Sequence, residues 1–242
     1  MGRLRKFQLR NLFKQKSFYV CMFVIVGLSV LMTISNALIT NLTAIKASKP
    51  NSNDTLLAFI NPGHFDTILT VFVALFFSLD VSNGTIKNII ARGFSRKQVF
   101  ITKYTTTIIG VSIMFILSFI ISYLISIIVG NTLVSIDSDT LSKIFVYYVA
   151  LIGLTSLYSF ISTIPSKSSG ALVACLLTSF LAPGILVMID ALLKLKKCFT
   201  ISQFWIANAY NNETFEAFII SFIYTALSII LGIIIYSRKE IK

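Results

Sequence analysis

The sequence is poor in charged residues, and acidic residues are the scarcest of them. Only 12% of the 242 residues are charged, with nine Asp or Glu in total, whereas about a quarter of the residues of a soluble domain carry charge. Hydrophobic residues make up 56% of the chain, and the mean hydropathy is +0.86. This composition excludes a soluble globular domain and predicts an all-α integral membrane protein.

Metal-binding, disulfide and nucleotide-binding patterns are also missing. The one histidine, His64, has no cluster of Cys, His or acidic residues near it in the sequence, so we predict no metal site. Cys21 and Cys175 fall in apolar stretches and only Cys198 falls outside them, which predicts no disulfide. No Gly-Lys pair occurs, so the chain lacks a phosphate-binding loop. We predict no catalytic residues and no bound cofactor, and expect any ATP hydrolysis to come from another polypeptide.

The sequence contains long stretches that are free of Asp, Glu, Lys and Arg. A bilayer core of about 30 Å requires roughly 20 helical residues, and six stretches can supply such a helix within a single domain covering residues 1–242. The predicted spans cover residues 18–40, 65–81, 103–129, 143–164, 169–190 and 215–236. The second span is the shortest, and Asp66 lies near its start, where the helix dipole favours a carboxylate.

Basic residues are concentrated on one predicted face. Six spans put both termini on the same side, together with the 80–103 and 165–169 loops, and this face holds most of the 21 basic residues. The positive-inside rule predicts that it is cytoplasmic, so the chain is expected to be multi-pass with both termini inside the cell. The net charge of +12 then reflects topology and contact with anionic lipid, and we predict no nucleic-acid partner.

Residues 3–15 predict an amphipathic helix lying on the inner leaflet, which we call the elbow helix. Basic residues recur every three or four positions and form one stripe: Arg3, Lys6, Arg10 and Lys14. Leu9, Leu12 and Phe13 face other directions, while Leu4 and Phe7 interrupt the pattern. The polar segment is too long for a cleavable signal peptide. A solvated basic tail is the alternative.

A second basic segment, residues 82–97, lies between two long apolar runs. Gly84 interrupts the helix that leaves the second span, and Ile86, Ile89 and Ile90 then recur at helical spacing. Lys87, Asn88 and Arg92 point elsewhere, Gly93 ends the helix, and Ser95-Arg96-Lys97 begins the next one, which runs through Lys103 into the third span. The pattern predicts a short amphipathic helix that could transmit a displacement to the second and third spans, which it connects. An ordinary positive-inside loop is the alternative.

No ionisable residue lies deep in a predicted span, since Asp66, Asp80 and Asp190 lie at span ends. Proton-coupled transport and intramembrane proteolysis require such buried groups and are disfavoured. Pro183-Gly184 is predicted to break the fifth span, but has no counterpart in the first half, as a secondary transporter with repeated halves would require. If the spans line a transport path, their lack of buried charge favours an amphipathic or apolar cargo.

The order of these parts resembles the permease subunits of bacterial ABC transporters of the ABC-2 type, which include bacitracin-resistance and lantibiotic-immunity permeases. The most specific likeness is an acidic residue before Gly-Thr, an apolar and basic helix, a Ser-Arg step and a Lys that enters the third span. These elements are Asp80, Gly84-Thr85, Ile86 to Ala91, Ser95-Arg96 and Lys103. Asp80 stands where the family more often has Glu, and Phe94 where it usually has Pro.

The resemblance implies a plasma-membrane exporter subunit that pairs with a second permease copy or paralogue and binds separate ABC ATPase subunits. ATP and Mg would be held by the ATPase, and residues 84–92 would form a coupling helix seated in its groove. The residues implied to couple to the ATPase are Asp80, Gly84, Thr85, Lys87, Ile89, Ile90, Arg92 and Arg96. The substrate class implied is a membrane-active or antimicrobial peptide, with a lipid or hydrophobic drug as the alternative.

Two further segments complete the resemblance. Ser166, Lys167 and Ser168 form a second inner loop, and the long last outer loop is rich in aromatic residues. Four of these are candidates for an exit gate: Phe199, Phe204, Trp205 and Tyr210. Anchoring at the lipid headgroups explains the same aromatics equally well. For the whole chain, a non-transporting scaffold or sensor and a secondary transporter or channel are the rival classes.

Overall fold

The computed structural model describes residues 2–43, 64–82, 84–130, 138–165, 167–192 and 214–238. All regular structure in these ranges is helical. The helices are α1 (Gly2–Lys14), α2 (Lys16–Thr43), α3 (His64–Ser82), α4 (Thr85–Ala91), α5 (Arg96–Gly130), α6 (Ser138–Ser162), α7 (Ser168–Leu192) and α8 (Thr214–Arg238).

Within the part of the chain that the structure describes, four stretches are long and apolar enough to cross a membrane, and together they make the chain an α-helical membrane protein. They are Lys16–Ser35, Arg96–Ile128, Thr140–Ser162 and Ser221–Arg238. A fifth is obtained if Phe65–Asp80 and Thr85–Ala91, which are bent by 55° at their junction, count as one broken span. Each of the six predicted spans coincides with a helix.

Helix α3 lies at the centre of the bundle, where it packs against α2, α6 and α7. The most extensive packing joins α6 to α8, followed by α2 with α5 and α3 with α7. A chain of aromatic side chains crosses the core from α2 through α3 and α5 to α8. Its members, in order, are Phe18, Phe72, Phe76, Phe77, Phe100 and Tyr236, with neighbouring ring centroids 5.7–6.5 Å apart.

Helix α1 packs against α5 through a face that differs from the sequence prediction. Leu4, Gln8 and Leu12 are its buried residues, so Leu4 belongs to the inward face and does not interrupt it. The four residues of the predicted basic stripe are all exposed. The spacing of four residues between the buried positions is what one face of a helix requires.

One predicted helix start is confirmed, and one predicted helix break is wrong. Helix α5 begins at Arg96, within the segment predicted to start it, and runs through Lys103, so it extends about two turns before the predicted span limit at residue 103. Helix α7 continues through Pro183 and Gly184 to Leu192 and is not broken there. Proline within membrane helices is tolerated because neighbouring groups satisfy the backbone that it frees.

Candidate functional site

Helix α4 is delimited by two glycines in the left-handed backbone region. Gly84, before its first residue, has a φ of 66°, and Gly93, two residues after its last, has a φ of 88°. Residues with a Cβ rarely adopt this conformation, so glycine permits both the sharp entry and the sharp exit. The Gly93 N–H donates to the Ile90 carbonyl at 2.9 Å and closes the final turn. The short helix predicted between these glycines is therefore present.

The two faces of α4 have opposite character. Ile86 and Ile89 are 1% and 6% exposed and belong to the hydrophobic core, and Ile90 packs against it. Lys87, Asn88 and Arg92 are exposed. The isoleucines thus fix the short helix to the bundle, and the outward surface is polar and basic.

A buried ion pair joins α3 and α5, the two helices that flank α4 in the chain. Lys103 Nζ on α5 donates to Asp80 Oδ2 on α3 at 2.8 Å and to the Phe77 carbonyl at 2.9 Å. The side chains of Lys103 and Asp80 are only 1% and 6% exposed. Asn11 Nδ2 on α1 donates to the other Asp80 oxygen at 3.2 Å. Three helices therefore meet at one carboxylate.

This arrangement corrects the prediction that the bundle contains no buried charge. Lys103 is buried because α5 begins at Arg96, which places Lys103 two turns inside the helix. A buried charge is tolerated when it is paired and its hydrogen bonds are satisfied. The Phe76 and Phe77 rings, with centroids 5.4 and 5.5 Å from Lys103 Nζ, add cation–π contacts on the apolar side.

The start of α5 is fixed by its own contacts. The Ser95 N–H donates to Gln98 Oε1 at 3.2 Å, and the Gln98 N–H donates to Ser95 Oγ at 3.3 Å, which is a reciprocal N-terminal cap. Arg96 Nη1 donates to the Ser237 carbonyl at 3.3 Å, at the C-terminus of α8, where a cation is favoured. We call the end of the bundle formed by α1, α4, the start of α5 and the end of α8 the basic end.

A second polar cluster lies near the other end of α3. Tyr158 Oη on α6 donates to Asp66 Oδ1 at 2.6 Å, and Ser179 Oγ on α7 donates to Asp66 Oδ2 at 2.7 Å. Asp66 is in the first turn of α3, as predicted. The two hydroxyls hold the carboxylate between three helices, so this group serves packing of α3, α6 and α7.

Seven of the eight residues predicted to couple to an ATPase lie on α4, at its margins or at the start of α5, and Asp80 anchors α3 beneath them. In the predicted second inner loop, Lys167 is exposed and Ser168 begins α7. Ser166 and the four candidate gate residues, Phe199, Phe204, Trp205 and Tyr210, lie outside the described residues.

Sequence reasoning missed Asn11, Tyr158 and Ser179 as partners of the buried carboxylates. Asn11 lies one residue before the buried Leu12 on α1, but α1 also carries the amide of Gln8, so its residue type alone did not identify it as the partner of Asp80. Nothing in the sequence distinguishes Tyr158 or Ser179 from the other hydroxyl residues of the spans.

The described residues contain no group of three or more His, Cys, Asp or Glu that could hold a metal ion. The basic end presents an exposed polar and basic surface, with Lys87, Asn88 and Arg92 facing outward. No protein-family model matches the sequence, and a search of curated proteins found no match. The functional assignment therefore depends on the residues and their geometry.

Proposed function

We propose that this chain is the transmembrane subunit of an ATP-driven exporter of the ABC-2 type, located in a bacterial plasma membrane. In this proposal α2, α3, α5, α6, α7 and α8 form six spans, α1 is the elbow helix, and the basic end faces the cytoplasm. A separate ABC ATPase binds ATP and Mg and docks on α4. The observation that carries the proposal is α4 itself, a glycine-delimited basic helix joined to a buried ion pair.

The connections of α4 would allow a force from a docked ATPase to reach α3 and α5. A displacement of α4 acts on α3 through Gly84 and on α5 through Gly93, because these are its chain connections. The Asp80–Lys103 pair joins α3, which precedes α4 in the chain, to α5, which follows it, and Asn11 adds α1 to the same group. The three helices would therefore respond to the ATPase as one unit.

The proposed cargo is an amphipathic or hydrophobic molecule, most simply a membrane-active peptide, carried between this chain and a second permease copy or paralogue. The buried charges of the described part are already engaged, Lys103 by Asp80 and Asp66 by two hydroxyls. They leave no unpaired charge in the described bundle to select a small ion, which favours an apolar contact surface for the cargo.

Charge reversal on α4 tests this assignment. The double variant Lys87→Glu with Arg92→Glu is expected to insert and fold normally, because both side chains are exposed. Export of a fluorescent cationic peptide by proteoliposomes containing the chain and its co-purified ATPase is expected to fall at least about tenfold, as expected for loss of interfacial charge pairs. ATP hydrolysis is expected to continue, because the catalytic site lies on the other subunit.

The matched control is Arg5→Glu with Lys6→Glu, which makes the same change in net charge at two exposed residues of α1. This control is expected to export at the wild-type rate. Unchanged export by the α4 variant, or equal loss in both variants, would contradict a coupling role for α4.

A further inference from the structure

A groove of about 320 Å³ lies between α1 and the turn that follows α4. Its lining is Arg3, Leu4, Phe7, Ile89, Arg92 and Phe94. This volume is at the lower end of the range for small-ligand sites. The groove is distinct from the outward surface of Lys87 and Asn88, which does not line it.

The groove is lined by two arginines and by four apolar residues. Arg3 and Arg92 are exposed, and they line the groove from α1 and from the turn that follows α4. Neither has a carboxylate within salt-bridge distance among the described residues. Guanidinium groups bind phosphate oxygens through paired, charge-assisted hydrogen bonds. The positive charge of the groove is thus uncompensated by this part of the protein and complements an anionic group.

The remaining lining is apolar. Leu4 and Ile89 are buried, whereas Phe7 is 43% exposed and Phe94 is half-buried. A free phosphate ion would leave these aromatic and aliphatic surfaces without a partner. A phosphate attached to acyl chains would satisfy both parts of the groove, since its headgroup meets the arginines and its chains cover Phe7 and Phe94.

We infer that this groove binds one anionic phospholipid, whose phosphate lies between Arg3 and Arg92. The lipid would join α1 to the end of α4, two elements that the groove otherwise separates. This inference requires only that the chain is a membrane protein, and it does not depend on an ATPase partner. Arg92 belongs to both surfaces, so the lipid test is made on the full chain without any ATPase.

The test is native mass spectrometry of the full chain in detergent, titrated with phosphatidylglycerol. The wild type is expected to retain one molecule more tightly than the rest, and more tightly than zwitterionic phosphatidylcholine. The variant Arg3→Gln with Arg92→Gln is expected to lose at least about tenfold in affinity for that molecule, since each basic residue near an anionic headgroup contributes measurably. The control, Arg5→Gln with Lys6→Gln, keeps the groove and is expected to change affinity less than about twofold.

Thermal unfolding in the presence of inorganic phosphate separates the two sources of the anion. The inference predicts a rise in melting temperature with phosphatidylglycerol and none with inorganic phosphate at the same concentration. Equal affinity of the two double variants would overturn the groove as the site. A full response to inorganic phosphate, or equal retention of phosphatidylcholine, would overturn an anionic lipid as its occupant.

Discussion

Replacement of Lys103 by methionine is expected to destabilise the protein by about 3–5 kcal/mol, the cost of leaving a buried charge without its partner. The Asp80 carboxylate would keep Asn11 as its donor at 3.2 Å but would lose the Lys103 ammonium at 2.8 Å. The Phe77 carbonyl would lose its side-chain donor as well. Thermal unfolding in detergent measures the effect, which corresponds to roughly 6–20 °C in Tm for a chain of this size.

Two variants make this prediction specific to the pair. Removing both charges, with Asp80→Leu and Lys103→Met, is expected to recover most of the lost stability, because replacing a whole buried pair with apolar groups is often neutral. Lys97→Met removes an exposed lysine of the same helix and is expected to change stability by less than about 0.5 kcal/mol. A Lys103→Met protein as stable as the wild type would contradict the buried pair.

The second large effect is expected at Gly232 on α8, whose backbone faces Phe100 on α5. A Cβ on Gly232 would overlap Phe100 Cζ and lie 3.1 Å from its Cε2. Phe100 has little room to move, because it is 1% exposed and its ring lies between those of Phe77 and Tyr236. Gly232→Ala is therefore expected to cost about 1–3 kcal/mol, the usual range for overpacking a filled core. Thermal unfolding again provides the measurement.

Gly27 supplies the control for this substitution. It lies in α2, is exposed, and a Cβ there would meet nothing within 4 Å. Gly27→Ala is expected to leave the melting temperature unchanged or to raise it slightly, since alanine is the better helix former. The added change Phe100→Leu is expected to restore part of the stability lost in Gly232→Ala. Equal effects at Gly27 and Gly232 would show that helix propensity, not contact with Phe100, determines the outcome.

Much of the fold could be predicted because hydrophobic length and glycine placement are local signals. Charge-free stretches located all six long helices, and the pair Gly84 and Gly93 located α4. The limits were less accurate, because a span was ended at any charged residue. Lys103 is charged yet lies buried within α5, because it pairs with Asp80, 23 positions earlier in the chain. Pro183 was predicted to break the fifth span, but α7 continues through it.

The residues of α4 could be predicted from the sequence, but the buried contacts among α1, α3 and α5 could not. The basic and polar residues of α4 are recognisable from helical spacing, and their exposure follows from the burial of Ile86 and Ile89. The network beneath them depends on how α1, α3 and α5 pack, which no local pattern specifies. Asn11, Asp80 and Lys103 come from three separate helices, and the groove between Arg3 and Arg92 likewise requires two elements to meet in space.

In the function proposed above, α4 is the docking surface for a separate ATPase. The most direct measurement is a pull-down of the tagged chain from its native membranes in mild detergent, with mass spectrometry of the proteins that co-purify. The comparison is a variant in which residues 84–92 are replaced by a glycine-serine linker of equal length, with its fold verified by thermal unfolding. The account predicts that an ABC ATPase co-purifies with the wild type and is lost from the folded variant. Recovery of the wild-type chain without an ATPase, or equal recovery of the ATPase with both chains, would contradict it.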